Sequence, residues 1–237
     1  MTKSGYLTRY RYPVDMMRCA LIFHLFLPSR IVVLLLFFLF RMNVTHKTVC
    51  AWTKKFGVPK NLPLPIYAPN ETLICHVDEK YVKIKGEWHY WWSIKDACGN
   101  VLDTLVTPAR DLVSAKQLFM TVKRKIGRAV DLLIRDGLPA YDKAAKYLGR
   151  RCKSIVTGIK GKAVLFKKNF YWLTNNPAES LNSEIDTYLA KFQYQFANLE
   201  SANRFAQLFL LQKHLKKCLT EKRLPEASSL LTQAFVL

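Results

Sequence analysis

The sequence predicts an α/β fold in which a mixed β-sheet domain follows a small all-α domain. Three observations support this prediction. Three short helical patterns lie within residues 13–56, a proline-rich stretch occupies residues 59–65, and strand and helix patterns follow from Glu71 onward. Half of the 237 residues are apolar, which is enough to bury a sizeable core and excludes a disordered chain.

The charge balance is strongly basic and indicates a class of partner. The chain has 37 Lys and Arg residues against 17 Asp and Glu residues, a net charge of +20. Solubility alone does not explain such an excess, so we expect a polyanionic partner, nucleic acid first and anionic lipid second. The six cysteines lie at least 23 residues apart, which excludes the spacing of a zinc knuckle.

The N-terminal part predicts three short helices, at residues 13–27, 29–41 and 45–56. Ser29 and Thr45 are residue types that begin helices as N-caps, and Gly57 suits the position after a helix end. The last helix has one apolar face and an opposite face that is polar and basic. This pattern favours a helix-turn-helix that contacts DNA, although a solvated amphipathic helix of another bundle fits it too. The candidate DNA-binding residues on this face are His46, Lys47, Thr53 and Lys54.

A membrane span is the alternative interpretation of residues 21–40. These 20 residues have the length that crosses a bilayer. Pro28 and Arg30 interrupt them near the middle, and a central Arg costs about 2.5–3.5 kcal/mol on insertion scales. The sequence therefore favours two short helices over one span.

From Glu71 the sequence predicts a sheet with covering helices. The predicted strands alternate apolar and polar residues or form short buried runs, and the predicted helices separate the later strands. Three antiparallel strands followed by alternating helix and strand is the order of an RNase H-like mixed sheet. The predicted strands are 73–78, 81–85, 87–95, 101–106 and 130–134, and the predicted helices are 114–126, 139–148 and 199–219.

Three carboxylates are candidates for one metal site. Asp78 ends the first predicted strand, Asp136 follows the strand predicted at 130–134, and Glu179 falls in the first turn of a helix that Pro177 begins. Acids at the carboxyl ends of neighbouring strands converge on one edge of a sheet. With no Cys or His at ligand spacing, oxygen ligands suit Mg²⁺ or Mn²⁺. Two such ions, about 3.5–4 Å apart, could activate a water or a 3′-hydroxyl against a phosphodiester.

Each acid also has a purely structural explanation. Asp78 could pair with Lys80, Asp136 could belong to an Asp-Gly turn, and Glu179 could complete a helix cap. Three further acids lie close enough in sequence to take the same roles. They are Glu79, Asp142 and Glu184.

The motifs around these acids resemble those of a known family. Residues 76–90 resemble the first catalytic block of the DDE transposases of prokaryotic insertion sequences, in particular the cointegrate-forming insertion-sequence-six family. Residues 136–141 resemble the second block, residues 175–179 the third, and residues 44–56 part of the family's helix-turn-helix. The resemblance runs in order from about residue 10 to residue 215.

The resemblance implies a catalytic triad of Asp78, Asp136 and Glu179 that binds Mg²⁺ or Mn²⁺, with two ions expected. It implies a polynucleotidyl transferase that hydrolyses phosphodiesters at the ends of its element and then transfers strands by transesterification. We expect double-stranded DNA, both ends and target, as substrate, a homo-oligomer on the DNA, no small-molecule substrate, and a place in the cytoplasm at the nucleoid. A catalytically inactive, element-derived DNA-binding protein is the first alternative, and a membrane protein anchored by residues 21–40 is the second.

The predicted domains follow from the motifs and the linker. Residues 1–57 form a helix-turn-helix domain, 58–70 a proline-rich linker, 71–220 an RNase H-like DDE catalytic domain, and 221–237 a C-terminal tail.

Three features depart from the family's usual pattern. Residues 31–40 are apolar where the second helix is usually polar, and Asp186 stands where a basic residue commonly follows the third acid. The separation of Asp136 from Glu179 is 43 residues, longer than is typical.

A second basic surface is predicted between the second and third acids. Residues 149–170 contain seven positive charges and no acid. We expect them to lie along DNA phosphates beside the metal site, and a solvated basic face is the alternative. The seven residues are Arg150, Arg151, Lys153, Lys160, Lys162, Lys167 and Lys168.

Overall fold

The computed structural model describes residues 11–56, 71–157, 162–166, 169–192 and 196–234. These residues divide into two compact units, one within residues 1–62 and 215–237 and the other within residues 63–214.

The first unit contains three N-terminal helices in its described part, and they confirm the predicted helices to within two residues. They are α1 (Val14–Phe26), α2 (Ser29–Phe40) and α3 (His46–Phe56). Thr45 caps α3 as predicted, because its Oγ1 accepts the backbone N–H of Thr48 at 3.2 Å. The prediction for Ser29 is wrong: Pro28 occupies the N-cap position, and no side-chain cap bond forms there. Gly57 lies outside the described residues.

The apolar window of residues 21–40 is divided between two helices. The helix α1 ends at Phe26, and α2 begins directly after Pro28, which occupies its N-cap position. Among the helices that the structure describes, none has both the length and the apolar character needed to cross a bilayer.

The second unit is built on a sheet whose strand order is β3-β2-β1-β4-β5. The strands β1, β2 and β3 pair antiparallel, whereas β4 pairs parallel with β1 and β5 pairs parallel with β4. This arrangement confirms the predicted RNase H-like mixed sheet. The strands are β1 (Ile74–Ile84), β2 (Glu87–Asp96), β3 (Val101–Thr107), β4 (Leu132–Arg135) and β5 (Lys153–Val156).

Helices cover both faces of the sheet. They are α4 (Leu112–Ile126), α5 (Pro139–Ala145), α6 (Asn176–Phe192) and α7 (Leu199–Thr220), and α8 (Leu224–Ala234) lies within the predicted C-terminal tail. Two adjacent tryptophans show how the faces are filled. Trp92 packs edge-on against Tyr141 of α5, whereas Trp91 points to the other face and packs against Phe205 and Phe209 of α7.

The structure corrects the first two predicted strands. Residues 73–78 and 81–85 were predicted as separate strands, but β1 runs through both and pairs with β2 from Cys75 opposite Asp96 to Ile84 opposite Glu87. Asp78 therefore lies inside a strand and not at its end. The polar residues after Asp78 suggested a break, and the continuous partner strand overrides that local signal.

A hairpin that the sequence did not predict lies between the second and third acids. It consists of β6 (Lys162–Phe166) and β7 (Asn169–Leu173), which form a separate two-stranded sheet. This hairpin accounts for part of the long separation between Asp136 and Glu179.

The turn between β1 and β2 fixes the register of this hairpin, and its conformation can be tested by substitution. Lys85 and Gly86 both have positive φ, 50° and 88°, as a two-residue turn between Ile84 and Glu87 requires. We expect Gly86→Ala to lower the free energy of unfolding by about 1–2 kcal/mol, because a side chain strains this conformation. Lys85→Asn should change it by less than about 0.5 kcal/mol, since Asn tolerates positive φ. Urea unfolding measures both, and equal losses would contradict the assigned turn.

Candidate active site

Two of the predicted acids stand side by side because their strands are parallel neighbours. His76 of β1 lies opposite Ile134 of β4, so the residues two positions further along each chain, Asp78 and Asp136, come together. Carboxylate oxygens of Asp78, Glu79 and Asp136 lie within 4.8 Å of one another. The structure thus brings together two members of the predicted triad and one acid that the sequence named only as a competitor.

Both oxygens of Asp78 accept hydrogen bonds. The backbone N–H of Glu79 donates to Oδ1 at 3.0 Å, and Nδ2 of Asn182 on α6 donates to Oδ2 at 2.8 Å. Burial raises the pKa of Asp78 from 3.8 to about 7, and the negative charges of Glu79, Asp136 and Glu179 add to the shift. The carboxyl group of Asp78 therefore keeps its proton to a higher pH than an ordinary Asp, and a cation that binds beside it favours loss of this proton.

Glu179 lies at the edge of this group. It occupies the first turn of α6, as predicted, and its side chain is exposed. Among the described residues, the close acid cluster does not include it, although its charge acts on Asp78. Asn182, which follows three residues later on the same helix, is the part of α6 that contacts Asp78 directly.

Glu79 serves a different purpose from its neighbours. Its side chain is 2% exposed, and both of its oxygens are bound. The guanidinium of Arg110 donates to Oε1, and the hydroxyl of Tyr141 donates to Oε2. Burial raises the pKa of Glu79, which the bonds from Tyr141 and Arg110 oppose. Because its side chain is almost fully buried, whereas that of Asp136 is 34% exposed, Glu79 is less accessible to an ion and is better suited to hold Arg110.

Arg110 links Glu79 to Asp136. Its Nη2 donates to Oδ2 of Asp136 at 3.1 Å, while the backbone N–H of Leu138 donates to Oδ1 at 2.9 Å. Arg110 thus lowers the repulsion between the clustered acids.

The other competing acids are paired away from the cluster. Asp142 forms an ion pair with Arg135, and Glu184 forms one with Lys213. Asp186 pairs with Lys80 at 2.7 Å. This last contact places a positive charge beside the position where the family commonly has a basic residue.

The donor set fits a hard divalent cation. Carboxylate oxygens dominate it, and the partly buried acids repel one another unless a positive charge joins them. The Oδ1 atom of Asn182 is buried and has no hydrogen-bond partner among the described residues, so a further polar group at the site would satisfy it. The residues that would hold such a cation are Asp78 and Asp136, with Glu179 next to them.

The predicted DNA-binding residues differ in how they are placed. His46, Lys47 and Lys54 are exposed on α3. Thr53 is a correction: it is buried, donates to the carbonyl of Val49 at 3.1 Å and contacts Nδ1 of His24 at 2.8 Å. Thr53 follows the buried Val49 by four residues, so it lies over the same face of the helix.

The second predicted basic surface is described only in part. Arg150, Arg151 and Lys153 are exposed at the start of β5. Lys160, Lys167 and Lys168 lie outside the described residues, and Lys162 is described only as the first backbone position of β6.

Sequence reasoning missed three residues of the site. Asn182 follows Glu179 by three residues, a spacing that places both on one side of a helix, and this signal could have identified it. Tyr141 and Arg110 gave no local signal, because their contacts with Glu79 join α5 and the segment before α4 to the middle of β1.

The raised pKa of Asp78 predicts a pH-dependent effect of Asp78→Asn. Because the folded-state value of about 7 exceeds the ordinary 3.8, the metal-free wild type is fully stabilised below about pH 4 and loses this stability as the pH rises to 7. The melting temperature of Asp78→Asn should therefore rise relative to wild type between pH 4 and 7 and level off above. Asp142→Asn is the control and should show no such rise. A constant difference for Asp78→Asn would contradict the assignment.

The pairing of Arg110 with Glu79 predicts a coupled pair of variants. Arg110→Met leaves a buried carboxylate without its cation and should lower the free energy of unfolding by about 3 kcal/mol. Adding Glu79→Gln should restore most of this loss, because the buried charge is then gone. Urea unfolding of the single and double variants measures the coupling, and additive effects would show that the contact is unimportant.

Comparison with known proteins places the chain in a family. Residues 73–219, more than half of the chain, match the model of a family described as "DDE domain". A 90-residue stretch is 29% identical to the transposase for insertion sequence-like element IS431mec of Staphylococcus aureus, and equally to that of insertion sequence element IS257 in transposon Tn4003 of the same species. Each alignment covers 37% of this chain and 39% of the relative, so the matched stretch spans about two fifths of these relatives.

Similar solved structures come from retroviral integration proteins. The HTLV-2 integrase catalytic core domain in complex with magnesium, in its trimeric form, aligns with 60% of this chain and 86% of its own, at 14% identity and a TM-score of 0.42. A chain of the simian T-cell lymphotropic virus intasome in complex with the PP2A regulatory subunit B56 gamma aligns with 83% of this chain and 68% of its own, at 14% identity and a TM-score of 0.44. The family match, together with the acids that β1 and β4 bring side by side, shows that this chain belongs to the DDE-domain family of insertion-sequence transposases.

Proposed function

We propose that this protein binds the ends of an insertion sequence and carries out metal-dependent cleavage and strand transfer of DNA. The observation that carries the proposal is that Asp78 of β1 and Asp136, directly after the parallel strand β4, lie close together inside the segment that matches the DDE domain. The carboxylate oxygens of this group are ligands that Mg²⁺ and Mn²⁺ prefer, which supports a hard divalent cation.

The proposed ligands are Asp78, Asp136 and Glu179, with Mg²⁺ or Mn²⁺ as the metal and two ions bound. Such ions supply Lewis-acid activation of the attacking water or 3′-hydroxyl and stabilise the leaving oxygen. The protein's contribution is to fix the ligands. Asn182 and a backbone N–H orient Asp78, and Arg110 and a second backbone N–H orient Asp136.

Glu179 is exposed in the first turn of α6, and its charge acts on Asp78. Its placement there also supports a second candidate function, an element-derived DNA-binding protein without catalysis, because the described acid cluster lacks this third member. Metal-dependent nicking of DNA that carries the element's own ends distinguishes the two functions.

The proposed DNA contacts lie on both units. In the first unit His46, Lys47 and Lys54 form the exposed basic face of α3, and in the second Arg150, Arg151 and Lys153 are exposed. Lys160, Lys162, Lys167 and Lys168 remain predicted members of the second surface. Double-stranded DNA is the proposed substrate as both ends and target, a homo-oligomer the proposed assembly, and the nucleoid in the cytoplasm the proposed location.

The catalytic assignment predicts which acids the reaction needs. Asp78→Asn and Asp136→Asn should each lower the rate of metal-dependent strand cleavage by about 1,000-fold or more, because each removes a proposed metal ligand. DNA binding should stay within about three-fold of wild type, since neither acid contacts phosphate directly. The measurement is cleavage of a labelled duplex carrying the terminal repeats, with Mg²⁺ or Mn²⁺.

Asp142→Asn and Glu184→Gln are matched controls, because these acids lie near the same motifs but pair with Arg135 and Lys213. Both should cleave within a few-fold of wild type. Near-normal cleavage by Asp78→Asn would overturn the triad, and loss of cleavage in Glu179→Gln would identify the third ligand.

The assignment of α3 predicts a salt-dependent loss of binding. Lys47→Ala and Lys54→Ala should each weaken binding of end DNA and lower the slope of log K against log salt by about 0.9, the value for one lost phosphate contact. Lys55→Ala is the control, because Lys55 lies on the same helix with its ammonium 5.1 Å from the ring of Phe56 and is turned away from the predicted face. Equal slopes in all three variants would remove α3 from the DNA interface.

A further inference from the structure

A further positively charged site lies at the opposite end of α5 from the acids. An open cavity of about 610 Å³ lies between the end of α4, the loop that follows it, and the residues after α5. We call it the basic groove, and its charged lining residues are Lys123, Arg124, Arg128 and Lys146. None of the residues that line it is acidic.

Part of this charge is neutralised, and part is not. Arg128 pairs with Asp131 at 3.0 Å, and the neighbouring Lys125 pairs with Asp103 at 2.9 Å. In contrast, Lys123, Arg124 and Lys146 are exposed, and no ion pair joins them to a carboxylate within the part of the chain that the structure describes. Three uncompensated cations thus share one concave surface, where a low-dielectric wall strengthens their field.

Stabilisation of the α4 dipole explains only some of these residues. Basic side chains in a last helical turn interact favourably with its free carbonyls, and Lys123 and Arg124 occupy that turn. Lys146 comes from the end of a different helix, and Lys116 lies two turns earlier on α4. The Nζ atoms of Lys116 and Lys146 nevertheless lie 5.0 and 5.4 Å from the ring centroid of Tyr147, which holds further positive charge beside the groove.

The position of the groove relates it to the acids. The helix α5 begins three residues after Asp136, and Tyr147 follows its end. The helix α5 and the two residues after it cover eight steps from Pro139 to Tyr147, about 12 Å at the rise of a helix, which corresponds to about four base pairs along a duplex. One duplex that reaches the acids can therefore extend to the groove.

We propose that the basic groove binds the sugar-phosphate backbone of duplex DNA, about four base pairs from the phosphodiester at the acids. This inference rests on the proposed function for its choice of polyanion. Exposed lysines and an arginine on an open surface suit a row of phosphates. The lysines contact phosphates as point charges and the arginine as a bidentate donor, and neither contact reads bases. An acidic protein segment is the other polyanion that could occupy the same surface, and the test separates the two.

The test uses the full chain and a triple variant, Lys123→Gln, Arg124→Gln and Lys146→Gln. The control triple, Lys83→Gln, Lys85→Gln and Lys191→Gln, removes the same charge from exposed positions of the same unit. Binding of a random-sequence duplex is measured at several salt concentrations. The groove variant should flatten the slope of log K against log salt by about 1–3 and bind roughly 10- to 100-fold more weakly at 0.1 M salt. The control should stay near wild type.

A second readout does not depend on a variant's folding. Acetylation of wild-type lysines, followed by mass spectrometry, should show protection of Lys123 and Lys146 by the duplex, with Lys83 unprotected. The charge-retaining pair Lys123→Arg and Lys146→Arg should bind DNA with the wild-type slope.

The outcomes distinguish this inference from the proposed function. If wild type and the groove variant bind DNA with equal slopes and both lysines stay reactive, the groove is not a DNA site, whatever the catalytic result. Protection by an acidic peptide but not by the duplex would likewise overturn it. If the wild type binds no duplex at all, the proposed function itself fails.

Discussion

The parallel pairing of β1 with β4 brings the carboxylates of Asp78 and Asp136 close together, so that their negative charges repel each other. The surrounding contacts reduce this repulsion. Asp78 and Asp136 each receive one hydrogen bond on each oxygen. Arg110 adds a positive charge, and the buried Glu79 holds that arginine together with Tyr141. Glu79, which is adjacent to the proposed metal ligands, thus acts as the counter-ion of an arginine.

The helix α6 depends on the same group of residues. Asn182 ties it to Asp78, and the ion pair between Lys80 and Asp186 ties it to β1 again one turn later. These contacts fix the direction in which the first turn of α6, with Glu179, approaches the acids. The position of Glu179 is therefore a consequence of how α6 is anchored.

Sequence patterns predicted the elements well where the signal is local. The three N-terminal helices and the strands β2 and β3 agree with periodicity and turn residues, because those signals act within a few residues. The pattern failed for β1, where polar residues within the strand resembled a break, and for Thr53, where helical position outweighed polarity. The hairpin of β6 and β7 had no recognised signal in a stretch dominated by basic residues.

The sequence by itself determined the charge, the order of the elements and the identities of the acids, since each of these resides in residue type and spacing. The tertiary structure decided which acids meet and what each one does. The strand order places β4 beside β1, and this pairing joins Asp78 to Asp136 across 58 residues of chain. It also decides that Glu79 faces Arg110 and Tyr141 while Asp142 turns to Arg135. No local sequence pattern predicts these contacts, because each depends on burial and on partners that only the folded chain brings within bonding distance.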